Sequence, residues 1–506
     1  MRILLILLAS LVFIIPSYSK PQEREVRHSQ IVKLTLADSY KLVLDNNVDI
    51  YIERNNPLIR QWLIVSERAV FDPVYNFGLG YTDSKNPVTS LTRLSTRLTK
   101  IDNELLAINT GLNGLTPLGT EYNIGFDNFK NNGTTTFFRS EYDSAFRLGL
   151  TQPLLRNFGF DANVAGIRVA KLNKKVSDEE LRSTLMNKLA EVQNKYWELV
   201  FAVKDLEVRN ESLELAKTLL RDNKKRVEVG VLPPIEITQS EAGVASRQEN
   251  VIIGEQNISD RENDLKVLLY DDPKEIIYKT IVPVDEPVVE KINLSLSESL
   301  QKALENRPDY LIIQKRINAE RVKLKLYFNQ KLPEVNFVGE YNLRGIRENF
   351  GNAIDRINSQ EEREWLLGVE VNIPLGNRQQ VSQYRISKLE LKKLEFEKKK
   401  IELNLVKEID SAIANINTNY QRVEATMASR KLAKEALDAE INKLETGTST
   451  SHDVLQFQEE LSRARAQEIR AIIDLNQSII ELYRVEGTIL NRLNIDFEQQ
   501  SKQMNK

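Results

Sequence analysis

The 506-residue chain has no cysteine and only two histidines, His28 and His452. A disulfide framework, a thiolate nucleophile and any cysteine-built zinc or iron–sulfur site are therefore excluded, and histidine metal clusters and Ser-His-Asp triads nearly so. Charge of one sign is not in excess either: 70 Lys and Arg stand against 72 Asp and Glu, a formal net charge of −2. A nucleic-acid binder needs a clustered surplus of cations to neutralise phosphates, so nucleic acid is not an expected partner. The chain also lacks a Walker-type glycine-rich phosphate loop. Long apolar runs are confined to its start. Ile3 to Ile15 is apolar except for Ser10, follows Met1-Arg2 and leads into Pro16-Ser17-Tyr18-Ser19, which predicts a secretory signal peptide over 1–19. A membrane anchor there would need ~20 apolar residues. No later stretch approaches the ~18 residues of a membrane helix, so an exported chain that crosses a bilayer must use strands.

What the sequence does contain is two copies of one pattern. Leu34-Thr35-Leu36-Ala37-Asp38-Ser39 returns as Leu294-Ser295-Leu296-Ser297-Glu298-Ser299, an offset of 260. The same offset pairs Leu44 with Leu304, Asn46 with Asn306, Pro73 with Pro333, Phe77 with Phe337 and Tyr81 with Tyr341. Further on, Gln152-Pro153-Leu154 answers Ile373-Pro374-Leu375 and Gly230 answers Gly447, but the offsets fall to 221 and 217. The first copy thus carries about 39 extra residues between its two shared prolines. A repeat this long is a duplicated unit whose halves pack side by side, not a short-period solenoid.

Each copy predicts helices, then strands, then a very long helical hairpin. Val335, Phe337, Gly339, Tyr341 and Leu343 alternate with Asn336, Val338, Glu340, Asn342 and Arg344; Trp365 to Ile373 repeats the pattern, as do Tyr75 to Tyr81 and Phe146 to Leu150. Period two with one polar face marks a strand with one apolar environment. Residues 104–115 and 120–129 predict an additional hairpin around Thr116-Pro117-Leu118-Gly119, which accounts for the extra length. Asn163 to Val229 has no proline, and Arg378 to Thr446 is of similar length; each predicts a rod on the order of 100 Å long. In the second rod Leu405, Ile409, Ala412, Ile416, Tyr420, Val423 and Met427 step by four and three, the spacing of a coiled-coil seam. The expected layout is a first structural repeat over 20–272 (helices 35–71, strands 74–152, helical hairpin 160–270) and a linker over 273–293. A second repeat then covers 294–494 (helices 297–331, strands 335–374, helical hairpin 377–494), with a tail over 495–506.

Four to six strands are too few for one chain to close a membrane barrel, since the smallest have about eight. Unpaired strand edges in hydrocarbon are prohibitive, so several copies must share a wall. A charged side chain facing lipid near the midplane costs ~2–4 kcal/mol, so the stripe with Arg147, Glu340, Arg344 and Glu370 should face water.

The paired strand–rod copies, the Gln152-Pro153-Leu154-Leu155-Arg156 and Ile373-Pro374-Leu375-Gly376 corners, the Tyr196-Trp197 pair and the Gly447…Asp453-Val454-Leu455 turn resemble the TolC family of outer membrane efflux proteins. The resemblance implies a mainly α fold with a membrane β-barrel portion: a duplicated strand–long-helix repeat forming a trimeric β-barrel continued by an α-helical coiled-coil tunnel. It also implies a homotrimer in the outer membrane of a Gram-negative type envelope, with its helical portion in the periplasm. Such proteins are exit ducts that work with a periplasmic adaptor protein and an inner-membrane pump; no cofactor or metal is implied.

In the family the periplasmic entrance lies at the helix-turn tips, here Gly230 and Gly447. Six residues after each glycine stands an acid, Glu236 and Asp453, and nine after each stands Gln239 and Gln456. Asp453 matches the first aspartate of the family's constriction motif, while Gln456 replaces the second; Ser449 occupies the tip-arginine position and Leu444 the gating-tyrosine position. Pro153 and Pro374 mark the strand-to-helix corners. The residues themselves admit two accounts of the acids. Thr450 with Asp453 fits a capping box, and Pro234 with Glu236 fits a helix first turn; either suffices without a pore. If three Asp453 carboxylates faced one axis, their repulsion would favour a bound cation. Two function classes follow: a conduit without catalysis, and, as the alternative, a soluble periplasmic coiled-coil structural or adaptor protein. No carboxylates form a recognisable acid/base pair, so an enzyme is not expected.

Overall fold

The computed structural model describes residues 30–89, 93–94, 99–134, 136 and 138–495. The predicted signal peptide and almost all of the tail lie outside the described residues.

After strand β1 (Gln30–Leu34) come helices α1 (Leu36–Asn46) and α2 (Val48–Arg68). Thr35 caps α1 by accepting from Asp38 N–H, and Asn47 caps α2 by accepting from Asp49 and Ile50. Strands β2 (Val74–Pro87), β3 (Lys100–Leu115), β4 (Glu121–Gly133) and β5 (Glu141–Pro153) follow. The chain then enters the first rod, α3 (Ala165–Glu228), and returns as α4 (Ile235–Leu269). Strand β6 (Lys279–Pro283) lies in the stretch between the copies and pairs in parallel with β1. The second copy supplies α5 (Leu296–Asn306), α6 (Pro308–Gln330), β7 (Glu334–Arg347), a short helix α7 (Phe350–Ser359), β8 (Arg363–Asn372), the second rod α8 (Arg378–Glu445) and α9 (Ser451–Glu486). No helix among the described residues is long and apolar enough to cross a membrane.

One finding departs from a continuous strand region over 335–374. Phe350, Ala353 and Ile357 recur at helical spacing after the capping residue Asn349, so this stretch folds as α7 and lies on β5 and β7. A Cβ at Gly345 would sit 2.2 Å from the Ala353 carbonyl oxygen, so the helix can approach only over glycine.

Both rods are about 100 Å long at 1.5 Å per residue. Their upper halves are flanked by α2 and α6, their lower halves by α4 and α9. Leu405, Ile409, Ala412, Ile416 and Val423 of the α8 seam are buried, whereas Met427 is exposed and burial passes to Leu437 and Leu444. Charged residues outside the seam tie the helices together; Arg470 on α9, for instance, bonds Glu198 on α3 at 2.8 Å.

Midway along α3, Tyr196 and Trp197 anchor a belt. Tyr196 is fully buried, and its hydroxyl lies 3.0 Å from the Leu34 carbonyl oxygen and 2.9 Å from an Asp285 carboxylate oxygen. It accepts from the backbone N–H groups of Val284 (3.2 Å) and Asp285 (3.1 Å). Burial, the largest cause, pushes this phenol up to about 12, so it stays protonated and able to donate. Val284 N–H also reaches the Leu34 carbonyl at 3.2 Å, so Tyr196→Phe leaves Asp285 N–H alone without an acceptor and should cost about 1–3 kcal/mol locally. Faster amide exchange at Asp285, with Val284 still protected by Leu34 O, is the expected result; unchanged protection at Asp285 would mean water replaces the hydroxyl.

Candidate functional site: a two-faced sheet above a helical tip

The six strands form one antiparallel sheet in the order β2-β3-β4-β5-β7-β8, and their registers sort the side chains onto two faces. One face carries Tyr75, Phe77, Leu79 and Tyr81 on β2 and Trp365, Leu367, Val369 and Val371 on β8, with Leu112, Ile124, Leu148 and Tyr341 on the strands between. The other carries Asn76, Asn109, Asn123, Asp127, Arg147, Glu340, Asn342 and Glu370, so the stripe expected to meet water lies on one side. The polar side is concave and encloses about 1090 Å³. Within it Arg147 pairs with Asp127, and Asn76 donates to Asn113 at 2.6 Å.

The apolar band slants across the strands. Tyr75, at the bottom of the band on β2, runs in register through Leu112, Ile124, Leu148 and Tyr341 to Trp365, at the top of the band on β8. The band therefore slides by about seven residues in five strand steps, roughly 23 Å against 24 Å. For the band to lie level in a bilayer the strands must tilt by about 40–45°, the inclination of membrane barrels. Tyr81 and Tyr341 mark where the band stops and not where their strands end, since β2 continues to Pro87 and β7 to Arg347.

At the far end of the rods both turns close on glycine in the left-handed region, Gly230 at φ +82° and Gly447 at φ +78°. Val231 N–H reaches back to Arg226 O (2.8 Å) and Thr448 N–H to Lys443 O (2.9 Å), satisfying carbonyls that the helix ends leave open. After the second turn Thr450 and Asp453 form a capping box: Asp453 N–H donates to Thr450 Oγ1 and Thr450 N–H to Asp453 Oδ2, both at 3.3 Å, and Thr450 Oγ1 also donates to Asp453 Oδ2 at 2.7 Å. Hydrogen bonds from Thr450, the largest cause, hold the Asp453 carboxyl below its ordinary value. Ser449 Oγ donates to Glu440 Oε1 at 2.5 Å and lies 3.5 Å from Asp453 Oδ2.

The other tip residues separate into three environments. Glu236 reaches across from the first turn and accepts from Ser451 N–H at the start of α9 (3.3 Å), placing a carboxylate at that helix N-terminus. Gln239 and Gln456 are exposed, and Gln456 donates to Glu460 at 3.2 Å. Leu444 is buried beside Leu437, Val454 and Leu461, and so belongs to the tip core. Its carbonyl accepts from Arg226 at 3.3 Å. Sequence reasoning missed the buried polar groups that join the two hairpins. Asn223 on α3 donates to both Ser240 on α4 and Ser451 on α9 at 2.7 Å. Arg247 on α4 donates to Leu455 O on α9 at 2.8 Å and to Ser212 Oγ on α3 at 3.1 Å. The i, i+3 or i+4 spacing of Gly243, Arg247 and Val251 carries no sign that the arginine faces inward, so only the fold exposes its role.

Comparison with known proteins agrees with this geometry. The family model described as outer membrane efflux protein matches residues 118–269 and 299–488. The outer membrane protein TolC of Vibrio cholerae is 20% identical over 324 residues, 63% of this chain and 72% of that protein. The outer membrane channel CmeC of Campylobacter jejuni superposes with a TM-score of 0.66 at 16% identity, covering 93% of this chain and 89% of that one. VceC of Vibrio cholerae gives 0.62 at 15% identity, covering 89% and 96%. The rods are thus a periplasmic tunnel portion and the tilted sheet an outer-membrane portion, and the chain belongs to the outer membrane efflux protein family.

Proposed function

We propose that three copies of this chain form one continuous exit duct, a passive conduit coupled to an inner-membrane pump through a periplasmic adaptor. The observation that carries this reading is an asymmetry between the two copies of the repeat. Helix α6 packs between both rods, against α3 and α8, whereas α2, its counterpart at the 260-residue offset, packs on α3 without comparable contact to α8. At matching positions Ala319 is 6% exposed and Ile59 is 55% exposed. Likewise α9 contacts both rods, while α4 packs on only one of them, α3. The missing surface is a second α8, and this chain's α8 turns an apolar stripe of Leu389, Phe396 and Leu403, each more than 60% exposed, away from its own partners. A neighbouring copy supplies what is missing at both faces, a heterologous contact that closes into a ring. The same ring pairs the free edge of β2 with that of β8, which hydrocarbon demands.

At the tip, the capping box and a pore-facing role are compatible, because Asp453 is only partly covered. Its lowered pKa means the cap's contribution is present above the ordinary carboxylate value of 3.8 and is lost as pH falls through the lower, folded value. The hydrogen bonds from Thr450 thus favour the charged form of Asp453. Asp453→Asn should weaken divalent-cation block in planar bilayers by about tenfold, the low end of what a charged mouth adds to local ion concentration. Thr450→Ala removes the cap but keeps the charge, and should leave block unchanged. Equal effects of the two variants would reduce Asp453 to a helix cap.

A further inference from the structure

The hairpin of β3 and β4 has no counterpart in the second copy, yet it lies in the middle of the sheet, between β2 and β5. We propose that this hairpin is membrane wall, so that three copies of the six-stranded sheet close an eighteen-stranded barrel whose wide bore, lined along the hairpin chiefly by amides and glycine, does no filtering of its own. The inference rests on the trimeric reading and deepens it by defining the outlet.

Three observations converge on it. The hairpin obeys the same two-faced rule as its neighbours: Ile108, Leu112, Ile124 and Phe126 continue the apolar face, and Asn109, Asn113, Asn123 and Asp127 the polar one. A hairpin folded outside the bilayer or into the lumen would have no use for that division. The slanted band also crosses the hairpin without a step, since Leu112 and Ile124 lie on the register joining Tyr75 to Trp365. Finally, its lower turn is fixed to the corner of the first rod. Gly159 N–H donates to Leu118 O at 3.0 Å, and a Cβ on Gly119, at φ +93°, would stand 2.4 Å from Asn157 O.

Girth supports the same number. Eighteen strands 4.8 Å apart and tilted about 40° make a wall about 36 Å across, whereas twelve make about 24 Å. Four helices per copy at any level give a ring of twelve, roughly 31–38 Å across at 8–10 Å spacing. Wall and tunnel then meet without a taper. On the inner face Gly111 and Gly125 lie side by side between Asn76 and Arg147, with Asn113 and Asn123 paired one rung below, so the hairpin itself puts no bulky side chain into this stretch of the bore. Selection then falls to the tip, and the barrel suits large hydrated solutes.

The absence of cysteine makes single cysteines unambiguous reporters. Asn109→Cys, Asn123→Cys, Leu112→Cys and Ile124→Cys would each be made in the full chain and treated in nanodiscs with a charged maleimide. Labelling at 109 and 123 with loss of labelling at 112 and 124 is expected; equal labelling at all four would overturn the proposal. Rotationally averaged images of the unmodified oligomer should resolve eighteen strands, and twelve would also overturn it. An assembly that is not threefold would defeat the trimeric reading itself, a separate outcome.

Discussion

Ile59→Asp combined with Trp62→Asp should convert the detergent-extracted oligomer into single chains. Both residues lie on the bare side of α2, and Trp62 is 73% exposed, the more so for being aromatic in a periplasmic helix. Its counterpart at the 260-residue offset, Val322, is half-buried within its own chain. If the neighbouring α8 covers this side, each joint removes a tryptophan and an isoleucine from water, about 4–6 kcal/mol at 25 cal/mol per Å². Carboxylates in their place lose that burial and add a desolvation cost in every joint of the ring. Gln61→Asp, on the exposed side of the same helix, should leave assembly intact and serves as the control. Light scattering during size-exclusion chromatography reads the result directly. A double variant that stays oligomeric would place the joint elsewhere and return Trp62 to some other partner.

Arg247→Ala should loosen the tip. The guanidinium is almost fully buried, and burial, its largest influence, lowers its pKa while Glu459 opposes that effect. Its hydrogen bonds join α4 to α3 and α9 and so cross between the two helical hairpins. Losing a charge-assisted bond between hairpins costs about 1.5–3 kcal/mol, with lost packing of the arginine stem in addition. Hydrogen exchange over 235–250 and 451–465 should accelerate by about 10- to 100-fold, at 1.36 kcal/mol per tenfold. Single-channel recordings should show longer open periods. Arg247→Lys should not rescue either readout, because one ammonium cannot serve Ser212, Gly243 and Leu455 in their fixed directions. Unchanged exchange would assign the tip's cohesion to the apolar cluster of Leu437, Leu444, Val454 and Leu461 instead.

The rods and the strands were legible in the sequence because each has one dominant periodicity. Alternation from Val335 to Arg344 needs a single face of lipid or core, and the proline-free run from Asn163 to Val229 leaves nothing to stop a helix. Thr450 and Asp453 were legible as a cap because their spacing alone defines the motif. Other features depend on what is brought together in space. The buried Asn223 and Arg247 occupy polar positions on helices whose hydrophobic pattern is weak, since tunnel helices have neighbours on several sides. Leu444, placed by resemblance at a gating position, is buried with Leu437, Val454 and Leu461, a setting made by the packing of the two hairpins that its own spacing does not announce. Helix α7 was hidden inside a stretch flanked by alternating residues, where its apolar spacing spans only about two turns. The belt strand β1 is five residues long with one buried side chain, too little pattern to separate it from a loop.

That belt has a consequence for how the molecule matures. Gln30 to Leu34 is the first described segment to emerge during synthesis, yet its strand partner begins at Lys279, and Leu36 N–H waits for a carboxylate 249 positions away. Contacts of such sequence separation close slowly, because the intervening loop must first lose its freedom. The leading strand therefore has no ladder to join until the chain's midpoint has been delivered. Once Asp285 arrives, the same few bonds fasten the start of the first copy to the linker that leads into the second.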